Sequence, residues 1–494
     1  MKHPLRTYLS TTCVAGLALL APGPVFAVPD ANRIEFSNCS LSTPGIQATA
    51  QARCGFLEVP EDPAAPDGRK IRLHVAVAEA TSTTVEPDPV FFFAGGPGQA
   101  ASETWVIIQG SMHKIRKHRE IVMIDQRGTG QSNRLSCPPD ESIDPLNAEI
   151  DFELMERSLR QCLETLDGDP RMYTTTIAMQ DYDRVRAAMG YERINLVGVS
   201  YGTRAAQVYL RQFPERVRSV VLDSVVPMQL ALGQEHAPML DRAVRQVLEQ
   251  CAAEETCNAL YPNHAQEVNE LFARLRENPQ QASITNPWTG QPQQIRLSAE
   301  TLAVAIRFLS YASETQALLP LLVHEALATG KLERLAAQAL LIMSNLDEAI
   351  ANGMEASVMC SEDFPFMDFS VDYDDTIMGG LMLEAIRRQC AIWPRGEVPD
   401  GFHEPVESAL PVLLLSGERD PVTPPSYADQ AAQTFANSLA LVARGQSHSV
   451  LRDVCLQDVA TQFIETGAVD ALDTTCVEKI RPAPFFTSLL GPEP

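Results

Sequence analysis

The pentapeptide Gly198-Val199-Ser200-Tyr201-Gly202 closes an apolar, β-branched run (Ile194 to Val199) and opens a stretch with helical spacing, from about Thr203 to Gln212. This junction constrains the fold more than any other feature of the chain. A serine flanked by glycines at a strand-to-helix turn is held in a strained conformation above a sheet, and the glycines let the backbones pack closely around it. The next apolar run, Val217 to Leu222, completes a strand–helix–strand unit, so neighbouring parallel strands are expected. The same alternation of short apolar runs and turn signals recurs at Ile71 to Ala80, Pro89 to Phe93, Glu120 to Ile124, Leu410 to Leu415 and Ser438 to Val442. Near-continuous apolar character in the later runs predicts strands buried on both faces of a mostly parallel sheet.

From Met228 to Ala409 the pattern changes. Leu240, Ala243, Val244, Val247, Leu248 and Cys251 recur at helical spacing, as do Val268, Leu271, Phe272 and Leu275, and then Leu302, Ala305, Ile306 and Leu309. The expected organisation is one α/β core in two parts, residues 28–227 and 409–494, interrupted by a mostly helical insertion over 228–408.

Residues 1–27 carry Lys2 and Arg6, an apolar stretch from Val14 to Leu20, and a Val25-Phe26-Ala27 end without any acidic residue. That is the pattern of a secretory signal peptide; its apolar stretch is too short to span a bilayer, so an exported protein, periplasmic or secreted, without a membrane anchor is expected. One of the eleven cysteines, Cys13, falls in this leader. The even remainder forms near-neighbour couples, which predicts the disulfides Cys39–Cys54, Cys137–Cys162, Cys251–Cys257, Cys360–Cys390 and Cys455–Cys476. The cysteines show no paired CxxC spacing, and neither a metal nor another cofactor is expected. With 63 acidic against 39 basic residues and a net charge of −24, the chain lacks the basic surface that nucleic-acid binding needs.

A serine hydroxyl acts as a nucleophile when a histidine takes its proton and an acid orients that histidine. On a strand–turn–helix scaffold the chain order is serine, acid, histidine, with each residue after a strand. Asp420 follows the run ending at Leu415, and His448 follows the run ending at Val442. Glu418 and Asp223 are the competing acids, with Asp223 better suited to ordering its own loop. An oxyanion hole is expected from the backbone N–H of Tyr201 and from the glycine turn Ala94-Gly95-Gly96-Pro97-Gly98, with Gly95 or Gly96 as second donor.

The AGGPG loop, the segment Asp125-Gln126-Arg127-Gly128-Thr129-Gly130-Gln131-Ser132, the GVSYG turn and the GERDPVTP loop at 417–424 occur here in the order they take in the α/β-hydrolase serine aminopeptidases. The chain resembles that family, the prolyl aminopeptidases and exported tripeptidyl aminopeptidases, over roughly residues 50 to 460. The resemblance implies an α/β-hydrolase fold with an inserted helical cap, and peptide substrates with a free N-terminus. Ala94 stands where prolyl aminopeptidases carry a histidine, which tilts the expectation toward the tripeptidyl branch. Arg127 reads as structural, paired with a carboxylate. The resemblance also implies cap carboxylates that hold the substrate ammonium group. The segment Glu355 to Asp363 offers Glu362 and Asp363 for this role beside Cys360, and Glu103 is a further candidate. The competing functions are a carboxylesterase with the same three residues and a non-catalytic binding protein on this scaffold.

Overall fold

The computed structural model describes Met1 and residues 33–138, 151–286 and 289–492, with the backbone alone over 342–348. Apart from Met1, the expected leader lies outside the described residues. The strands are β1 Ser37–Thr43, β2 Ile46–Pro60, β3 Lys70–Ala78, β4 Val90–Phe93, β5 Ile121–Ile124, β6 Ile194–Val199, β7 Val217–Asp223, β8 Gln280–Thr285, β9 Pro292–Leu297, β10 Ser408–Gly417 and β11 Phe435–Ala443. Nine of them form one sheet in the order β1-β2-β3-β5-β4-β6-β7-β10-β11. The run from β5 to β11 is parallel throughout, and β1, β2 and β3 join antiparallel. Every residue of β4 (VFFF) and β5 (IVMI) is buried, as covering a parallel sheet on both faces requires. One apolar cluster lies on each face: Phe91, Phe93, Tyr182 and Tyr209 on one side, Phe92, Trp105, Met123 and Phe463 on the other.

Two features exceed the sequence expectation. The strands β1 and β2 extend the sheet beyond β3; the long β2 carries polar residues on its outer half and shows little apolar alternation, so it leaves no clear strand signal in the sequence. Within the helical stretch, β8 and β9 form an antiparallel hairpin.

The stretch between β7 and β10 does not share one core. Leu240, Leu271, Leu302, Leu322 and Leu335 belong to a cluster of their own, built on the helices His236–Ala253, His264–Glu277, Ala299–Leu309, Leu319–Thr329 and Glu333–Ala349. Residues from Ala351 to Val406, by contrast, pack into the same cluster as the central sheet. The helices Asn352–Val358 and Leu381–Ile392 are in this second part, and the disulfide Cys360–Cys390 ties the turn Met359–Asp363 that follows the first to the second. The other disulfides join Cys39 to Cys54, Cys137 to Cys162, Cys251 to Cys257 and Cys455 to Cys476, which are the near-neighbour couples of the sequence. No helix among the described residues is long and apolar enough to cross a membrane.

Candidate active site

Strand β6 ends at Val199, and the helix Tyr201–Gln212 begins two residues later. Between them Ser200 has φ 56° and ψ −127°, a conformation that L-residues rarely adopt and that the surrounding packing must enforce. The flanking glycines show how tight that packing is. A Cβ on Gly202 would lie 2.1 Å from the carbonyl oxygen of Phe93, and one on Gly198 would lie 2.4 Å from that of Gly202. The helix therefore starts in direct contact with the end of β4. From there the AGGPG loop turns over the serine: Gly96 and Gly98 hold φ of 107° and 105°, and a Cβ on Gly95 would stand 3.2 Å from that of Ser200.

Asp420 and His448 leave the ends of β10 and β11, on the same side of the sheet. His448 Nδ1 lies 2.7 Å from Asp420 Oδ2. The carboxylate, fully buried, also accepts from the N–H groups of Val422 and Thr423 and from the Thr423 hydroxyl, at 2.9, 2.8 and 2.7 Å. Burial by itself would raise the Asp420 pKa; the His448 charge and these hydrogen bonds outweigh it and hold the carboxyl below its usual value. Two competing acids are occupied elsewhere. Glu418 accepts from the N–H of Gly445, and Asp223 accepts from Val450 N–H and Leu451 N–H, ordering the turn after His448.

The helical segment touches this loop pair directly. Arg242 donates to the carbonyls of Glu418 and Asp420, and Gln316 donates to that of Arg419. Ser447, the neighbour of His448, donates to the carbonyl of Ser310, and the Tyr311 ring packs edge-on against the His448 ring at 4.8 Å. On the other flank, Ala351 N–H donates to the carbonyl of Gly98 in the glycine loop.

A family model of the α/β-hydrolase fold matches residues 88–452. The chain belongs to the α/β-hydrolase fold family. Within it, the chain is 27% identical over 480 residues to a tripeptidyl aminopeptidase of Streptomyces coelicolor, covering 87% of this chain and 84% of that protein. It is 24% identical over 485 residues to serine protease Hip1 of Mycobacterium tuberculosis, covering 90% and 91%. A proline iminopeptidase of Lactobacillus delbrueckii is 28% identical over 160 residues, 32% of this chain and 42% of that one.

The acids expected to bind the substrate amine occupy other places in this hydrolase. Asp363, fully buried, pairs with the equally buried Arg204 at 2.6 Å and accepts from Leu232 N–H at 2.7 Å. Glu362, also fully buried, accepts from the N–H and the hydroxyl of Thr175 at 2.5 and 2.8 Å. Residues around Cys360 pack into the central core instead of lining a surface, so both acids face internal partners; of Asp363 only Oδ1 is engaged, and its buried Oδ2 has no hydrogen-bond partner among the described residues. Glu103 stands on the helix after the glycine loop, where burial and the charge of Asp125 raise its pKa. Arg127 forms a two-point ion pair with Asp181 at 2.7 and 3.0 Å and donates to the Glu61 and Met172 carbonyls.

Glu355 differs from these acids. It is partly exposed on the helix Asn352–Val358, one turn beyond the contact with Gly98. Burial raises its pKa to about 7 against the opposing pull of Arg307. The Arg307 guanidinium lies 3.2 Å from His236 Nδ1, and His236 in turn feels the charges of His448 and Asp420, so these groups share one neighbourhood. Glu355 opens the acidic segment Glu355 to Asp363 but is not among the residues expected there to bind the amine. Thr175, Arg307 and His236 carry no local signal at all, whereas Thr423 has one, since an Asp-Pro-Val-Thr turn folds its N–H groups back onto the aspartate.

Proposed function

We propose that this hydrolase is an exported serine exopeptidase that removes short peptides, tripeptides in the first instance, from free peptide N-termini. The observation that carries the reading is the buried Asp420–His448 pair at 2.7 Å, on the same sheet end as the strained Ser200. Ser200 Oγ attacks the carbonyl of the scissile bond and His448 Nε2 takes its proton, while Asp420 keeps the imidazole in the tautomer that leaves Nε2 free to accept. The N–H of Tyr201 and of Gly95 or Gly96 stabilises the oxyanion of the tetrahedral intermediate. His448 then protonates the leaving amine, and water repeats the sequence on the acyl-enzyme.

Glu355 takes over the role first expected of Glu362 and Asp363. A carboxylate that forms no ion pair among the described residues and feels Arg307 only at longer range, beside the glycine loop, suits a substrate ammonium group. The separately packed part of the segment between β7 and β10, from the helix His236–Ala253 to the helix Glu333–Ala349, acts as the cap that limits how much peptide enters. The tripeptidyl reading is favoured by Streptomyces relatives named tripeptidyl aminopeptidase that match along most of the chain, whereas the proline iminopeptidase match spans 32% of it, and by Ala94. Five disulfides support export to an oxidising compartment.

The test uses wild type and Ser200→Ala on unblocked and N-acetylated peptidyl p-nitroanilides, with the released peptide identified by mass spectrometry. Turnover that needs Ser200, releases a tripeptide and disappears on acetylation is expected. Equal cleavage of acetylated substrates, or better hydrolysis of simple esters, would transfer the assignment to an esterase.

A further inference from the structure

The buried Glu362 does not face substrate, yet it ends a chain of side chains that leads to the residue beside the nucleophile. Gln126 Nε2 donates to the Tyr201 hydroxyl at 3.0 Å, the Tyr201 hydroxyl lies 2.6 Å from Thr175 Oγ1, and Thr175 Oγ1 donates to Glu362 Oε2 at 2.8 Å. Thr175 has one hydroxyl proton, and the carboxylate takes it. Thr175 Oγ1 must therefore accept from Tyr201, whose own oxygen accepts from Gln126. The proton order runs one way: Gln126 to Tyr201 to Thr175 to Glu362. All four side chains are buried, so water does not compete for these partners.

We propose that Glu362 is a positioning residue: its ionised carboxylate fixes the direction of this chain and so holds Tyr201, and with it the backbone N–H beside Ser200, where an oxyanion forms. The proposal rests on the reading of Ser200 as nucleophile. Glu362 belongs to the inserted segment, Thr175 opens the helix Thr175–Ala188, and Tyr201 opens the nucleophile helix. The chain thus couples the seating of the insertion to the geometry of the reaction centre. Burial also raises the Tyr201 phenol far above its ordinary pKa, with the Glu362 charge as second cause, so the hydroxyl remains a donor.

A proton on Glu362 reverses the order. The neutral acid donates from Oε2 to Thr175, Thr175 donates to Tyr201, and the Tyr201 hydroxyl, already accepting from Gln126, loses the acceptor for its own proton. Burial, then the charge of Asp363 on the same segment, raise the Glu362 pKa to about 7; the Thr175 hydrogen bonds and Arg204 on the nucleophile helix oppose them. The other polar group against this residue is His403, whose Nε2 lies 2.6 Å from the Glu362 backbone oxygen. A carboxyl whose pKa is raised loses its charge as pH falls through that value, so the productive order belongs to the alkaline side of about pH 7.

The experiment measures kcat and KM from pH 5.5 to 9 on an unblocked trialanyl p-nitroanilide, and fluorophosphonate labelling of Ser200. It compares wild type, Glu362→Gln, Thr175→Val, Tyr201→Phe and the double variant Glu362→Gln/Tyr201→Phe. Glutamine mimics the protonated acid, because its amide donates where the carboxylate accepts. Glu362→Gln is expected to lower kcat at pH 8 about tenfold, less than the ~100-fold of losing an oxyanion donor outright, with KM held within about twofold. Its acid limb should follow a single proton, where wild type shows a steeper fall. In the Tyr201→Phe background the same substitution should have no further effect, since the chain is already cut. Thr175→Val keeps the backbone N–H to Glu362 and should reproduce the kcat loss, which preserves the test if Glu362→Gln does not fold. A tenfold loss that recurs undiminished in Tyr201→Phe, or a wild-type kcat and pH profile in Glu362→Gln or Thr175→Val, overturns the proposal. Wild-type enzyme that fluorophosphonate does not label would overturn the nucleophile reading itself, and the positioning role with it.

Discussion

Replacing Asp363 with alanine separates a structural carboxylate from a substrate-binding one. Asp363 and Arg204 are both 0% exposed, 2.6 Å apart, and the Arg204 guanidinium also donates to the carbonyl of Leu230. Removing the carboxylate leaves a buried cation without its counter-charge, a change that costs roughly 3–5 kcal/mol. It also strips the N–H of Leu232 of its acceptor, worth about 1–3 kcal/mol when buried. These contributions overlap, so a net loss of about 5 kcal/mol is expected. With a urea slope of roughly 3 kcal/mol per molar, the unfolding midpoint should fall by ~1.5 M. The assay is urea unfolding without reductant, followed by far-UV circular dichroism and tryptophan fluorescence, alongside KM for an unblocked tripeptidyl amide at low urea. Asp363→Asn, which keeps an acceptor for Leu232 but loses the charge, should fall between wild type and Asp363→Ala. An unchanged midpoint together with a KM raised more than about tenfold would refute the reasoning, because it would place Asp363 on the substrate amine after all.

Glu355→Gln should raise KM for unblocked peptides about 10- to 100-fold, the worth of one charge-assisted hydrogen bond, with kcat held within about twofold. The same variant should be more stable than wild type at pH 8 and equal to it near pH 4: ionising a carboxyl whose folded pKa is about 7 destabilises the fold as pH rises from its ordinary value, 4.5, through 7. Thermal unfolding across that pH range checks the sign. Asp420→Asn should lower kcat by about 10⁴ with the fold intact, by permitting the wrong imidazole tautomer, and kinetics with circular dichroism as control reads both. Gly202→Ala, whose methyl would stand 2.1 Å from the Phe93 oxygen, should abolish fluorophosphonate labelling of Ser200.

What was legible in the sequence is what is written locally. A strand, a tight turn and a helix are encoded by residues within a few positions of one another, so the Ser200 junction and the later parallel strands could be read from apolar runs and glycines. The disulfide couples were legible for the same reason: 6 to 30 residues separate the partners. Asp420 and His448 were placed by their position after strands, although they stand 28 positions apart, because a parallel sheet brings all its strand ends to one side.

The fate of the acids was decided elsewhere. Glu362 meets Thr175 across 187 positions and Asp363 meets Arg204 across 159, and nothing near either acid marks its partner. Read locally, Glu355, Glu362 and Asp363 are three carboxylates around a cysteine. Packing Cys360 into the central core turned two of them inward to a helix start and an arginine, and left Glu355 near the reaction centre. Burial makes that distinction, because a charge removed from water must find a partner wherever the chain folds one to it.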